Sequence, residues 1–150
     1  MDPLFKKLNF KDQKKLFVLN VPENLLQHLD AMKHLTTVSQ SVSENEEIHF
    51  ALAFAITQKQ LNDAVNAIAP RLIDDAIFWV AYPKGSSKKY KCEFNRDTGW
   101  EAIGRFGMEG VRQVAIDEDW SALRFRKVEF IKHFTRSDKM ILSKEGKARK

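Results

Sequence analysis

The sequence has little of the chemistry that is typical of disulfide-bonded, membrane-spanning or secreted proteins. Its 150 residues contain one cysteine, Cys92, so no disulfide can form within the chain. The longest apolar runs, at residues 50–56 and 76–82, are far shorter than the roughly 20 residues that span a bilayer. Residues 1–15 contain no apolar stretch of the kind found in signal peptides. We therefore expect a cytoplasmic protein in a reducing compartment, with no membrane contact.

Motifs of the common catalytic, cofactor and metal sites are also missing. The first predicted strand is followed by Asn20, Val21 and Pro22 instead of a G-x-G-x-x-G loop, which argues against dinucleotide binding of the usual kind. The segment PKGSSKK at 83–89 lacks the leading glycine and the GK[ST] spacing of a phosphate-binding loop. No histidine has metal-ligand spacing to another or to Cys92, and no Ser, Thr or Cys has a recognisable activating partner. We therefore predict no catalytic residue, no metal and no cofactor, and we favour a binding protein over an enzyme.

The residues that are present make up a globular domain. Hydrophobic residues account for 43% of the chain and charged residues for 30%, as is usual in folded proteins. A chain of 150 residues can bury a core without disulfides or metal ions. No internal repeat is visible. We predict a single domain at residues 1–136, followed by a basic and flexible tail at residues 137–150.

The net charge of +5 is distributed unevenly along the chain. Residues 84–96, here called the lysine loop, carry a net charge of +4, and residues 124–150 carry +7. The remaining residues must therefore carry −6. An acidic body with two basic segments favours an anionic partner, although basic segments also occur in proteins that have none.

Hydrophobic periodicity and turn residues divide the chain into alternating strands and helices. Helices are predicted at residues 2–8, 23–33, 57 to about 72 and 98–106, and strands at 16–21, 35–40, 48–56, 76–82, 111–116 and 123–131. The pairs Thr57 with Gln60 and Thr98 with Glu101 predict capping boxes at two helix starts. The apolar alternation of the last strand changes phase near Arg126, which predicts a β-bulge there.

This order of elements predicts an α/β protein with a mainly parallel sheet of about six strands. Helices on both faces of the sheet would make a single three-layer, Rossmann-like domain. The last two predicted strands are separated by a short acidic turn, so we expect them to be antiparallel neighbours. We predict the strand order 2-1-3-4-6-5, with the C-terminal strand antiparallel to the others.

Ligands of open α/β sheets bind outside the carboxyl ends of the strands, where the lysine loop begins and where a helix starting at Thr98 would point. The candidate residues for binding an anion are Lys84, Ser86, Ser87, Lys88, Lys89, Thr98, Trp120 and Arg124. The alternatives are that the lysines are only solvated, that Trp120 is a core residue and that Arg124 pairs with an acid on a neighbouring element. The acidic residues 117–119 are typical of a turn and do not form a metal-binding pattern.

Two segments, AIFWVAYPKG and GVRQVAIDEDWSALRFR, resemble an uncharacterised bacterial family of small α/β proteins that is known only as a domain of unknown function. The shared features are a strand ending in Pro-Lys and a D-W-S-x-x-R segment, matched here by Pro83, Lys84, Asp119, Trp120, Ser121 and Arg124. The resemblance covers roughly the C-terminal half of the chain. It implies a fold similar to a reduced nucleotide-binding or methyltransferase domain, and it implies no particular activity.

Three functions are left open by the sequence. The favoured one is a non-catalytic binding or regulatory domain that takes an anionic small molecule or a protein partner at the strand ends. The second is nucleic-acid binding through the lysine loop and the basic C-terminal segment, which would weaken steeply with salt. The third is a cofactor-dependent enzyme with a methyltransferase-like fold, which the missing glycine loop disfavours.

Overall fold

The computed structural model of the protein describes residues 1–131, so the predicted tail at 137–150 lies outside the described residues. The helices are α1 (Pro3–Lys7), α2 (Leu26–Asp30), α3 (Gln58–Ile68) and α4 (Glu101–Arg105). The strands are β1 (Lys15–Leu19), β2 (Thr37–Ser39), β3 (Ile48–Phe54), β4 (Leu72–Pro83), β5 (Met108–Ala115) and β6 (Trp120–Lys127). None of the helices in residues 1–131 is both long enough and apolar enough to cross a membrane.

The six strands form one sheet in the order β2-β1-β3-β4-β6-β5. Neighbours among β1 to β4 are parallel, whereas β6 runs antiparallel to both β4 and β5. The predicted strand order and the predicted antiparallel C-terminal strand are both confirmed. The protein therefore has a mixed α/β, Rossmann-like fold.

Each face of the sheet has its own hydrophobic core, which gives the predicted three layers. One face packs against α1 and α2, and the other packs against α3 and α4. On the first face, the indole nitrogen of Trp79 in β4 donates a 2.9 Å hydrogen bond to the carbonyl oxygen of Leu8. That bond satisfies a carbonyl at the end of α1 and fixes the helix to the centre of the sheet.

The first predicted capping box is present at the carboxyl end of β3. The side-chain oxygen of Thr57 accepts a 3.0 Å hydrogen bond from the backbone N–H of Gln60. The side-chain oxygen of Gln60 in turn accepts from the backbone N–H of Thr57 at 3.2 Å. This reciprocal pair satisfies two backbone donors that would otherwise lack partners, and it sets the start of α3 beside the strand ends.

The second predicted capping box, at Thr98, is wrong. Helix α4 begins at Glu101, its N-cap is Trp100, and no side chain caps it. Gly99 adopts a φ of +96°, which takes the chain out of helical geometry between Thr98 and the helix. Because α4 has only five residues and begins after this turn, the predicted anion-binding helix start at Thr98 does not exist.

Two predicted elements and the predicted bulge also need correction. The predicted helix at 23–33 is a 3₁₀ turn followed by the short α2, because the chain after α2 continues with i→i+3 bonds such as Met32 N–H to Leu29 O. Strand β4 begins at Leu72 rather than near residue 76, with Asp74 at a φ of +52° where the register to β3 shifts. The predicted bulge near Arg126 is absent, since β6 ends at Lys127 and a 3₁₀ turn follows it.

Candidate functional site at the lysine loop

The lysine loop begins where β4 ends, directly beside the start of β6. Pro83 at the end of β4 pairs with Trp120 at the start of β6. The next residue, Lys84, donates its backbone N–H to the carbonyl oxygen of Asp119 at 2.8 Å. The hydroxyl of Ser87 then donates to the Oδ1 atom of the Asp119 side chain, also at 2.8 Å. The loop and the turn before β6 are thus held together at one edge of the sheet.

The far half of the lysine loop is tied to the neighbouring strand end. Glu93 donates its backbone N–H to the carbonyl oxygen of Ile56 at 3.0 Å, and its carboxylate accepts from the backbone N–H of Gln58 at 2.8 Å. Between these ties, the ring of Tyr90 lies against Trp120, with the ring centroids 5.0 Å apart. The loop is therefore fixed at both ends and in the middle, and it is not a free solvated segment.

These elements line a cavity of about 890 Å³ that is open to solvent. The cavity is lined mainly by the lysine loop, together with Tyr82 and Pro83 of β4, Gln113 of β5 and Ser121 of β6. Its basic side chains are those of Lys84, Lys88, Lys89, Lys91 and Arg96. Glu93 supplies the one carboxylate among the lining residues, so the lining carries a net charge of +4 at neutral pH.

The basic side chains of the cavity are available to a ligand. No ion pair within residues 1–131 involves any of these five cations. The Oε1 atom of the Glu93 carboxylate accepts the backbone N–H of Gln58 at the start of α3 and forms no ion pair with these cations. Several unpaired cations around one concave surface produce a positive potential that attracts anions.

The floor of the cavity adds hydrogen-bonding groups without adding negative charge. The phenol oxygen of Tyr82 accepts a 3.1 Å hydrogen bond from the side-chain amide of Gln113. Burial raises the pKa of the Tyr82 phenol, and burial also raises the pKa of the Cys92 thiol. Both groups are consequently neutral at pH 7, and neither opposes the binding of an anion.

Five of the eight predicted site residues line the lysine-loop cavity and the other three do not, although the ring of Trp120 contacts Tyr90 of the loop. Those that line the cavity are Lys84, Ser86, Ser87, Lys88 and Lys89. Thr98 forms an isolated β-bridge with Asn95, and Trp120 lines a different and smaller cavity. Arg124 lies in β6, where its backbone is paired with that of Trp79 in β4.

Arg124 does not line the lysine-loop cavity, and its buried Nε atom has no hydrogen-bond partner within residues 1–131. Burial lowers the pKa of its guanidinium, and the neighbouring charges of Arg126 and Arg112 lower the pKa further. Asp75, the nearby acid, forms its bidentate hydrogen bonds with Arg126. The sequence-based prediction also omitted Tyr90, Lys91 and Arg96 from the site, although all three lie in the same loop.

The predicted role of the acidic residues before β6 agrees with the structure. The side chain of Asp117 accepts hydrogen bonds from the backbone N–H groups of Asp119 and Trp120, at 2.8 and 2.9 Å. These bonds form the turn that aims the chain into β6. Within residues 1–131, no group of three or more His, Cys, Asp and Glu side chains could hold a metal ion.

A second, smaller cavity lies between the ends of β1 and β3. The chain leaves β1 toward β2 on one side and returns to β3 on the other side, so this is the topological switch point of the sheet. The cavity has a volume of about 130 Å³ and is here called the switch-point cavity. Its lining residues are Asn20, Pro22, Phe54, Ala55, Ile56, Gln60, Tyr90 and Trp120. The side-chain amide of Asn20 spans the two strand ends by donating to the carbonyl oxygen of Phe54 at 3.1 Å.

No protein-family model matches this sequence, and no curated protein matches it either. Solved structures with a similar fold do exist. The N-methyltransferase NodS from Bradyrhizobium japonicum WM9, in complex with S-adenosyl-L-homocysteine, superposes with a TM-score of 0.53 at 11% identity, over 85% of this chain and 89% of that one. The glycopeptide N-methyltransferase MtfA superposes with a TM-score of 0.54 at 7% identity, over 82% of this chain and 92% of that one.

An S-adenosylmethionine-dependent methyltransferase from Clostridium acetobutylicum ATCC 824 is also similar, with a TM-score of 0.50 at 4% identity over 81% of this chain and 87% of that one. At identities this low the comparisons show similarity of fold alone. Proteins that share a fold can have different functions, so no site residue is transferred from these structures. The comparisons show that this chain has the Rossmann-like α/β fold found in methyltransferases.

Proposed function

We propose that this protein binds a small anionic molecule in the lysine-loop cavity. The observation that carries the proposal is a set of five basic side chains around one cavity of about 890 Å³, none of which has a carboxylate partner within residues 1–131, although Lys89 lies over the Tyr90 ring. That volume is within the roughly 300–1,000 Å³ that is usual for small-molecule sites. The cavity also has the hydroxyl of Ser86 in the same loop as the lysines, whereas the hydroxyl of Ser87 already donates to Asp119.

The chemistry of the cavity favours an anion with several oxygen acceptors, such as a phosphate, a pyrophosphate or a carboxylate. Lysine ammonium groups and serine hydroxyls donate hydrogen bonds to such oxygens, and charge-assisted bonds are stronger than neutral ones. Because the loop is already fixed by Asp119, Ile56 and Gln58, little ordering of the loop is needed when a ligand binds.

Titration calorimetry with pyrophosphate tests this proposal. The double variant Lys88→Gln/Lys91→Gln removes two charges of the cavity, and we expect its Kd to rise at least about tenfold, or ~1.4 kcal/mol. The matched control Lys11→Gln/Lys33→Gln removes two exposed lysines elsewhere and should change the Kd by less than about twofold. Equal losses in the two variants would mean that pyrophosphate responds only to net charge, and the proposal would be wrong.

A second candidate function is S-adenosylmethionine-dependent methyl transfer. The comparisons support this candidate better than they support a binding domain or a nucleic-acid protein, because the similar structures are methyltransferases. A cofactor of this fold would be expected at the switch point of the sheet, outside the carboxyl ends of the parallel strands. The residues at that position therefore decide whether the cofactor fits.

The switch point of this chain does not fit a nucleoside-sized cofactor. The cavity there is about 130 Å³, well below the roughly 300 Å³ at which small-molecule sites begin. The Asn20 side chain bonded to Phe54 crosses the gap, and the Tyr90 and Trp120 rings fill the space beside it. We therefore derive no methyl-transfer step for this chain.

A direct binding measurement separates the two candidates. S-adenosyl-L-homocysteine should leave the backbone amide NMR signals of Asn20 and Ile56 unshifted at saturating concentration, whereas pyrophosphate should shift those of the lysine loop. Saturable shifts at Asn20 and Ile56 with S-adenosyl-L-homocysteine would instead favour the methyltransferase candidate. Such a result would require Asn20 to release the carbonyl oxygen of Phe54.

A further inference from the structure

Strand β5 contains a bulge that decides which of its side chains share a face of the sheet with Arg124 of β6. Gly110 pairs with Phe125, but the next pair along the two strands is Arg112 with Arg124, so Val111 is the extra residue of the bulge. In regular pairing Val111 would lie opposite Arg124, and Arg112 would point to the other face. The bulge therefore places Arg112 on the same face as Arg124, directly across the two strands.

This cross-strand pair brings two like charges together. Side chains directly opposite one another on antiparallel strands have Cβ atoms about 4.5–5.5 Å apart, and like charges in that position are unfavourable. Burial lowers the pKa of the Arg124 guanidinium, and the charges of Arg126 and Arg112 lower that pKa further. Two acids near this pair lie beside Arg126 instead. Asp75 binds Arg126 through both carboxylate oxygens, and Glu109 is paired with Arg126 in the strand register.

Both members of the pair keep donors that a ligand can reach. The Nε atom of Arg124 is buried without a partner, so it is closed to a ligand as well. Arg124 is nevertheless partly exposed, and its Nη1 and Nη2 atoms are neither hydrogen-bonded to a described residue nor buried without a partner, which leaves them open to solvent. Arg112 is exposed, and it forms no ion pair in the described part of the chain.

We infer that Arg112 and Arg124 together bind the carboxylate of a small molecule on this face of the sheet. Arg126, two residues along β6, already holds the Asp75 carboxylate by two hydrogen bonds. A guanidinium presents paired donors in one plane, which match the two oxygens of a carboxylate. A carboxylate bound between Arg112 and Arg124 would also offset the repulsion between their charges.

The inference does not depend on anion binding at the lysine loop. Gln113, which follows Arg112 in β5, points to the other face of the sheet, where its amide donates to Tyr82 at the lysine-loop cavity. The sheet therefore separates the two sites. Pyrophosphate should prefer the lysine-loop cavity, because the five cations there produce a stronger positive potential than two guanidinium groups do.

Succinate and succinamide are the probes that test this inference, because they are similar in size and only succinate has carboxylates. The titrations use the Lys88→Gln/Lys91→Gln variant as the parent, in which the lysine-loop cavity is weakened. We expect succinate to shift the backbone amide NMR signals of Arg112 and Arg124 saturably and to bind at least about tenfold more tightly than succinamide. Adding Arg112→Gln should raise the Kd of succinate about tenfold. The matched control Arg105→Gln removes an exposed arginine of α4 and should change the Kd by less than about twofold.

A stability measurement on the same variant gives a second readout. In buffer without carboxylates, Arg112→Gln should raise the melting temperature by about 1–4 °C, because it removes one charge of the like-charge pair. A lower melting temperature would contradict the unfavourable pairing on which the inference rests. The inference is also overturned if succinate shifts neither arginine signal, if succinate and succinamide bind equally, or if Arg112→Gln binds succinate as tightly as its parent. A failure of pyrophosphate to bind the lysine loop would leave each of these outcomes unchanged.

Discussion

The hydroxyl of Ser87 donates a 2.8 Å hydrogen bond to the Oδ1 atom of Asp119, and this contact joins the lysine loop to the turn before β6. The same Ser87 oxygen accepts from the backbone N–H groups of Lys89 and Tyr90, at 3.2 and 3.1 Å. One side chain therefore fixes both the base of the cavity and the approach of Tyr90 to Trp120.

Ser87→Ala should loosen the lysine loop more than it destabilises the domain. We expect the free energy of unfolding to fall by about 1 kcal/mol, because one side-chain hydrogen bond network is lost. Hydrogen exchange at the amides of Lys89 and Tyr90 should become faster, since both lose their acceptor. The exposed Ser86 is the matched control, and equal exchange in Ser86→Ala and Ser87→Ala would contradict this role.

Gly99 is predicted to be intolerant of any side chain, whereas Gly85 is tolerant. A Cβ atom at Gly99 would lie 2.6 Å from Phe94 Cβ and 2.8 Å from Gln58 Oε1, and the φ of +96° is strained for other residues. Gly99→Ala should therefore cost about 2 kcal/mol of unfolding free energy or more.

The control for Gly99 is Gly85, which lies in the same connection between β4 and α4. A Cβ atom at Gly85 would meet nothing within 4 Å, so Gly85→Ala should leave stability unchanged within about 0.5 kcal/mol or raise it slightly. Chemical denaturation of the two variants measures the difference. A Gly99→Ala variant as stable as Gly85→Ala would show that the segment before α4 is not packed as described.

The two threonines with the same sequence pattern should behave differently. Thr57→Ala removes a cap whose oxygen accepts the Gln60 N–H, and we expect a loss of about 1 kcal/mol in unfolding free energy. Thr98→Ala should cost less than about 0.5 kcal/mol, because Thr98 caps no helix. Urea denaturation measures both changes in unfolding free energy. Similar losses of stability at the two positions would contradict the finding that Thr98 caps no helix.

Alkylation of Cys92 should report on the burial of the cavity floor. Burial raises the pKa of this thiol, so at a given pH below that value less reactive thiolate is present than in a free peptide. Iodoacetamide should thus react more slowly with Cys92 than with glutathione near pH 8, and the rate should still rise above pH 9. The contribution of the neutral Cys92 thiol to the free energy of unfolding is present in full below the pKa of the unfolded state. That contribution is lost as the pH rises through the raised pKa of the folded state.

Because Cys92 is the one cysteine of the chain, its labelling needs no competing-site correction. Pyrophosphate bound in the same cavity should slow the reaction further, since Cys92 lines that cavity. A rate equal to that of glutathione at every pH would contradict the described burial.

The strand order was predictable in part because β1, β3 and β4 are largely apolar runs bounded by clear turn residues, whereas β2 is short and more polar. The acidic turn before β6 indicated that β5 and β6 are antiparallel neighbours. The start of helix α3 was predictable because its capping box depends only on Thr57 and Gln60, which are close in sequence.

The features that the sequence did not predict depend on contacts between distant residues. The segment at Gly99 is held by Gln58, whose side-chain amide donates to the Gly99 carbonyl oxygen at 2.8 Å, and no local pattern encodes that bond. Strand β4 extends back to Leu72 because its irregular start lies beside Ile48, and Asp75 there pairs with Arg126. At such positions tertiary contacts, and not the local preference of the sequence for helix or strand, determine the backbone conformation.

The candidate site was predictable in part. Charge clustering identified the lysine loop, and the rule on strand ends placed it at the correct edge of the sheet. It was not predictable that the indole N–H of Trp120 has no hydrogen-bond acceptor within residues 1–131, because this depends on how Tyr90 and Phe54 enclose the indole ring. The separation of Arg124 from the loop likewise follows from its position opposite Trp79, which only the register of β4 and β6 reveals.

The most direct test of anion binding is a map of backbone amide NMR shifts during a pyrophosphate titration at low salt. Shifts that saturate and are confined to residues 84–96 and the adjoining Gln113 and Ser121 are expected from the lining of the cavity. Unsaturated shifts spread over exposed lysines such as Lys11 and Lys33, with none concentrated in the lysine loop, would contradict a specific site.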